Sequence, residues 1–386
     1  SAMGDAAAQT ADDYKALVCV FLQGGNDNWN TLVPYDSTHH ALYQGLRSNI
    51  AFTREALAGS VLTPAGGSTD GRAFALAPNL GTGLLPLFQQ GRMAVLHNVG
   101  TLVQPTTREQ YMARSVPLPP KLFSHNDQQS VWQSSSPEGS TVGWGGNLGD
   151  LALSSNSNSL FTCISVTGNA VFLSGDSALS YQVSTGGAIA INGVKNNVYG
   201  STAVRSALTS LVQQTSSQVL ENEYNRVTTR AITAESQITS GLAGVTLATA
   251  FPANNSLADQ LKMVARLIGA RSTLGSKRQV FMVSLGGFDL HDNLISQQPT
   301  LMKRVSEAMT AFYDATVELG VADKVTAFTA SDFGRTLSSN GNGSDHAWGG
   351  NHLVMGGAVG GGRDSRRGSQ ETAAHRTEYH CSRAPC

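Results

Sequence analysis

Three aspartates and three histidines carry the chemistry this chain could perform. Asp27, Asp289 and Asp332 each follow a short apolar run, and His291, His346 and His352 stand near the second and third of them. A mixed carboxylate–imidazole set suits Zn²⁺ or Mn²⁺, with Mg²⁺ as an added ion, rather than a soft thiolate site. Asp289 and His291 are two residues apart, so an extended chain puts them on one side, where they can share an ion. A pair of ions about 3.5–4 Å apart would clamp the attacking and leaving oxygens of an in-line displacement. One aspartate at a strand end is ordinarily a turn or capping residue; three, joined by histidines, argue for a site.

A second candidate is FSHND at 123–127. Ser124 suits a helix N-cap, with Asp127 at capping-box spacing. A serine there also meets free N–H groups and the positive end of the helix dipole, which stabilise an alkoxide and hold an ester oxyanion. Ser124 is therefore a simple cap or a nucleophile. His125 is a ligand, a general acid, or a polar residue of the first turn. Thr106 and Thr107, in the Pro- and Thr-rich stretch before it, are the fallback nucleophiles.

These residues need elements to hold them. Lys15 to Leu22 (KALVCVFL), Arg92 to Asn98 (RMAVLHN), Gln279 to Leu285 (QVFMVSL) and Val325 to Thr329 are apolar runs of strand length, the pattern of strands buried on both faces. Apolar residues at helical spacing predict helices over 39–46, 78–90, 203–232, 257–274 and 300–319. Ser159 to Val166 and Ala170 to Leu173 are read as strands, and 174–200 as a surface excursion rich in Ser, Gly and Asn. In open α/β sheets ligands bind at the carboxyl ends of strands, where Asp27, Asp289 and Asp332 fall.

Composition excludes several classes. Charged residues make up 14% of the 386, with a net charge of -1, so no footprint for nucleic acid is present. No apolar run is long enough to cross a bilayer. The four cysteines lack metal-site spacing, and Cys19, inside a strand, reads as a core thiol. Ser1-Ala2-Met3-Gly4 resembles a scar of tag removal, and Ala6-Ala7-Ala8 the start of a mature exported chain, so 1–14 is set apart with no signal peptide before it. Residues 15–362 read as a single domain. From Arg363 to Cys386 the chain is rich in arginine and holds no Leu, Ile, Val, Phe or Met. That tail is expected to be foreign, its native frame lost near Gly362, and to add no strand to the sheet.

The GGND turn after the first strand, FSHND, GWGGN at 143–147, GGFDLHDN at 286–293, SDFGRT at 331–336 and the NG…DH stretch that ends at His346 together resemble the exported bacterial proteins of domain-of-unknown-function family 1501. The resemblance covers Lys15 to Gly362. That family in turn resembles the alkaline phosphatase superfamily of metal-dependent phosphatases, sulfatases and phosphodiesterases. The resemblance implies a three-layer α/β fold with a doubly wound, mostly parallel sheet and metals at the carboxyl ends of its strands. It implies that Asp27 is the aspartate after the first strand and that Asp289 and His291 serve one metal. Asp332 would serve the other, with His352 or His346 as the late histidine and Ser124 as nucleophile. The implied activity is hydrolysis of phosphate or sulfate mono- or diesters of a small molecule or glycan, in the periplasm or outside the cell.

The chain departs from the superfamily's pattern at named positions. Phe333 follows Asp332 where the phosphatases carry Asp-His, Asp289 and His291 stand closer together than usual, and Ser130 replaces an expected Asp. The Cys-x-Pro-x-Arg motif of sulfatases is missing. Two further readings therefore stand beside the first: a noncatalytic exported module that binds a glycan or cell-envelope partner, and a metalloenzyme of different chemistry, such as a phosphomutase or a carboxyl-ester or glycan hydrolase.

Overall fold

A computed structural model describes residues 13–65, 67, 71–360 and the backbone of 364–365. Its strands, in chain order, are β1 (Lys15–Leu22), β2 (Leu32–Pro34), β3 (Phe74–Leu76), β4 (Met93–Val99), β5 (Cys163–Ser165), β6 (Ser180–Ser184), β7 (Gly187–Ala188), β8 (Arg278–Leu285), β9 (Val325–Ser331), β10 (Gly350–Met355) and β11 (Asp364–Ser365). Nine of them form one sheet in the order β11-β4-β10-β9-β1-β8-β5-β6-β7; β2 and β3 pair apart. β1 lies between β8 and β9, parallel to both, with Cys19 opposite Met282 and Phe328. β10 runs antiparallel between β9 and β4, so β4 keeps the direction of β1. The four strands expected from apolar runs all lie in this mostly parallel sheet.

The principal helices are α1 (Ser37–Arg47), α2 (Pro78–Gln89), α3 (His125–Ser134), α4 (Trp144–Ala152), α5 (Thr202–Gln213), α6 (Val219–Ala243), α7 (Ser256–Gly269) and α8 (Leu294–Glu318). Alternation along β1 divides them into two layers. Val18, Val20 and Leu22 pack into the core shared with α2, α7 and α8. Cys19 and Phe21 pack on the other face with Trp132 of α3 and Trp144 of α4. The fold is thus a three-layer α/β domain, as expected.

Some elements differ from expectation. The helix foreseen over 203–232 is broken into α5 and α6, because Ser216 and Asn222 bond backbone N–H groups of the intervening residues and compete with the helix. Val171–Leu173 forms a 3-10 turn rather than a strand. The tail contributes Asp364–Ser365, parallel to Val95 and Leu96 of β4, against the expectation that it adds no strand; its residues beyond 365 lie outside those described, as do residues 1–12.

Candidate metal centre

The carboxyl ends of β1, β8 and β9 meet because two glycines allow it. Gly24 and Gly25 have φ of 116° and 72°, and a Cβ on Gly24 would stand 2.4 Å from the Asp289 nitrogen. With no side chain in the way, the Gly24 N–H donates to both oxygens of Asp332, at 3.3 and 3.2 Å. Gly25 likewise leaves room for the Phe333 ring.

Three imidazoles close around Asp289. His291 Nε2 lies 3.1 Å and His346 Nε2 3.4 Å from Asp289 Oδ1, and His125 Nε2 lies 3.4 Å from Oδ2. Behind each ring stands a group that can only accept. His125 Nδ1 is 2.6 Å from Asp332 Oδ2, His346 Nδ1 is 2.7 Å from the Phe123 carbonyl oxygen, and His291 Nδ1 is 3.0 Å from Asp345 Oδ1. In a neutral imidazole the proton must then sit on Nδ1, which turns a bare Nε2 lone pair toward Asp289. His291 Nε2 and His346 Nε2 face one another at 2.9 Å. His125 Nε2 is buried and has no hydrogen-bond partner among the described residues. Lone pairs in this arrangement repel unless a cation lies among them, and acceptors behind the rings are how proteins orient metal-binding histidines. Phe333 packs against both His125 and His346, with ring centroids 4.8 and 4.5 Å away, and those two imidazoles meet edge-on at 4.5 Å.

Charge agrees with the donor set. Arg335 is 1% exposed and ties the turns together. Its Nε donates to the Gly25 carbonyl at 2.7 Å, Nη1 to that of Ser344 at 2.7 Å, and Nη2 to that of Gly24 at 2.6 Å and to Asp289 Oδ1. The carboxylates that touch the imidazoles are Asp289, Asp332 and Asp345; against one guanidinium they leave two negative charges, the charge a divalent ion brings. Burial pushes the Asp289 carboxyl up, but the Arg335 hydrogen bond and charge, with His125 and His291, outweigh it and hold it below the usual carboxylate range. Burial also raises Asp345, and Asn340 and His291 overcome it. Burial pushes the His346 imidazole's pKa down, which favours its neutral form.

The expected site residues divide. Asp289, His291 and His346 converge, with Asp332 one hydrogen bond behind, and His125 joins them as a nitrogen donor rather than as a reacting acid. Asp27 does not offer its carboxylate. Oδ2 accepts from Arg47 Nη2 and Ser344 Oγ, both at 2.5 Å, and Oδ1 accepts from the Asn30 N–H at 2.9 Å. Arg47 is fully buried, so this is a closed ion pair, joined to the cluster at one remove through the Ser344 carbonyl on Arg335 and through Thr336, whose carbonyl accepts from Arg47 and whose hydroxyl accepts from the Asp345 N–H. His352 lies in β10 opposite Leu96, buried, with no hydrogen bond to the cluster among the described residues. Ser124 stands at the N-cap of α3, yet its hydroxyl donates to Asp127 Oδ2 at 2.7 Å and makes no contact with the cluster among the described residues. Among the described residues, His125, Asp289 and His346 offer ligand atoms that all lie within 4.8 Å of one another, with His291 Nε2 beside two of them, and neither Asp27 nor His352 belongs to that group. Arg335 and Asp345 were not foreseen. The only sequence signal was their place within SDFGRT and the NG…DH stretch.

A mostly parallel α/β sheet with a histidine–carboxylate cluster at its carboxyl edge defines a three-layer α/β protein with a candidate divalent-metal site. Sequence comparison gives the family. Residues 14–374 match the family described as "Protein of unknown function (DUF1501)", and the chain belongs to it. Among solved structures, the chain is similar to that of alkaline phosphatase from the Antarctic bacterium TAB5. The identity is 8%, the match covers 91% of this chain and 93% of that one, and the TM-score is 0.35. No curated protein matches the sequence. No described helix is long and apolar enough to cross a membrane.

Proposed function

We propose that the protein is a metal-dependent hydrolase of phosphate or sulfate esters. The observation that carries this is the meeting of His125, His291 and His346 Nε2 atoms around Asp289, each ring held by an acceptor at Nδ1. These four residues would hold one ion, Zn²⁺ or Mn²⁺ by donor type. When bound, the ion supplies a Lewis acid beside the substrate's oxygens. Asp289 is half exposed at the side chain, so the cluster is open to a substrate from solution. The chain's own residues do the rest. Asp332, Asp345 and the Phe123 carbonyl keep the three imidazoles in one tautomer, and Arg335 holds Asp289 ionised. Ser124, between Phe123 and His125, supplies a hydroxyl for attack on the ester at the start of α3, whose first-turn N–H groups can hold an anionic oxygen. The resemblance to exported proteins supports a location outside the cytoplasm and small-molecule or glycan esters as the substrates of this proposed chemistry.

The test is dialysis of the purified protein against Zn²⁺, Mn²⁺ and Mg²⁺ followed by elemental analysis, then assay with aryl phosphates and aryl sulfates. One equivalent of metal with turnover of either ester is expected. Metal without turnover on either would favour the metalloenzyme of different chemistry, and no metal would favour the noncatalytic module.

A further inference from the structure

The turn into α3 is strained at one residue and reversed at the next. Phe123 has φ of 76°, a conformation that an aromatic side chain rarely adopts. It is held there by its carbonyl, which accepts from His346 Nδ1, and by its ring, which packs edge-on against Tyr111 at 6.1 Å. Ser124 follows. A serine at an N-cap ordinarily accepts from an N–H of the first turn. Ser124 makes no such bond and instead donates its own proton to Asp127 Oδ2 at 2.7 Å. Asp127 is 5% exposed, and its other oxygen lies 3.5 Å from Lys121 Nζ. The result is a partly exposed hydroxyl with free lone pairs, its proton directed at a buried carboxylate, one residue from His125. Strain held in place by surrounding contacts is commonly found where a site is preorganised.

We infer that Asp127 is the general base that activates Ser124. For its natural substrate this rests on the hydrolase reading above. Ser124 Oγ forms a bond to phosphorus or sulfur, the bond from that atom to the ester oxygen breaks, and its electron pair leaves on the alcohol oxygen. The Ser124 proton passes to Asp127 Oδ2 and from there to the departing oxygen. In the return step water attacks the seryl ester, gives a proton to Asp127, and Asp127 returns it to Ser124 Oγ.

The test uses an alkyl fluorophosphonate, which phosphonylates an activated serine with loss of fluoride and needs no natural substrate. The full chain is treated with it and the label is located by peptide mass spectrometry. Ser124 is expected to take the label in the wild type, and Ser124→Ala to take none there. Asp127→Asn should label more slowly by about 10²–10⁴-fold, the usual contribution of a positioned base. Asp127→Ala is the second variant should Asn not fold, and added formate should restore part of its rate, which a merely structural role would not allow. Labelling of Asp127→Asn at the wild-type rate, or a wild type unlabelled at Ser124, overturns the inference. Labelling slowed by Asp127→Asn, with no turnover of aryl phosphate or sulfate, keeps the pair and removes the hydrolase reading. Turnover undiminished in Asp127→Asn does the reverse.

Discussion

Asp289 is the residue on which the cluster depends, because Arg335 and three imidazoles all reach it. Its replacement has a worse consequence than a lost ligand. Asp289→Asn leaves the buried Arg335 charge facing the three nitrogens, so bound metal should fall below stoichiometry by elemental analysis, together with any turnover. Asp332 acts one step back. It fixes the His125 tautomer, and Gly24 and Gln129 in turn fix Asp332. Asp332→Asn should keep the fold but weaken metal affinity by about 10–100-fold, the usual effect of removing such a partner; competition with a chelator of known affinity measures it. Ser124→Ala separates chemistry from binding. Ser124 touches none of the imidazoles, so its loss should abolish turnover at unchanged metal content, and activity that survived would move the attack to another group.

The elements bring these residues together at points where glycine or a buried charge is required. Gly24→Ala would press a Cβ into the backbone of Asp289 and strain a φ of 116°. The cost should exceed the about 1–3 kcal/mol typical of overpacking, read by urea unfolding, and metal should weaken with it as the turns of β1 and β8 separate. Asp27 holds a different joint, α1 to the end of β1, through Arg47. Asp27→Ala leaves the fully buried Arg47 uncompensated and should cost about 3–5 kcal/mol. Folded Asp27→Ala protein should still bind one equivalent of metal; loss of metal without loss of stability would return Asp27 to the ligand set. These joints also show what the sequence made legible. β1, β8 and β9 were readable because a strand buried on both faces is an unbroken apolar run, and the aspartates after them followed. The ion pair of Asp27 was not legible because its partner Arg47 lies twenty residues on, at the end of a helix, where no spacing rule links them. That His352 lies in a strand was hidden by the glycines before it, of which Gly350 begins β10. His346 reaches the site through a bridge with Arg335 that periodicity does not reveal.

At the scale of the whole molecule, the insertion of β10 between β9 and β4 buries an imidazole in the sheet. His352 is buried, its Nδ1 has no hydrogen-bond partner among the described residues, and burial pushes its pKa down from 6.5 to about 4. The unfolded chain therefore binds a proton below pH 6.5 that the folded chain refuses until about pH 4. Stability must fall as pH drops through that window, by about 3 kcal/mol in all, because each pH unit between the two values is worth about 1.4 kcal/mol. Asp289 and Asp345 act further into the acid range. Their folded pKa values are depressed, so the stability they contribute is present above the unfolded carboxylate pKa and is lost as pH falls through the lower folded values. Bound metal would add its own proton competition, so the measurement belongs in chelator. Urea unfolding of the wild type at pH 7 and at pH 4.5 should show most of that loss. His352→Leu, which puts an apolar side chain in the same buried place, should lose much less between the two pH values whatever its stability at pH 7. An equal loss in both proteins would show that another group carries the acid sensitivity of this sheet.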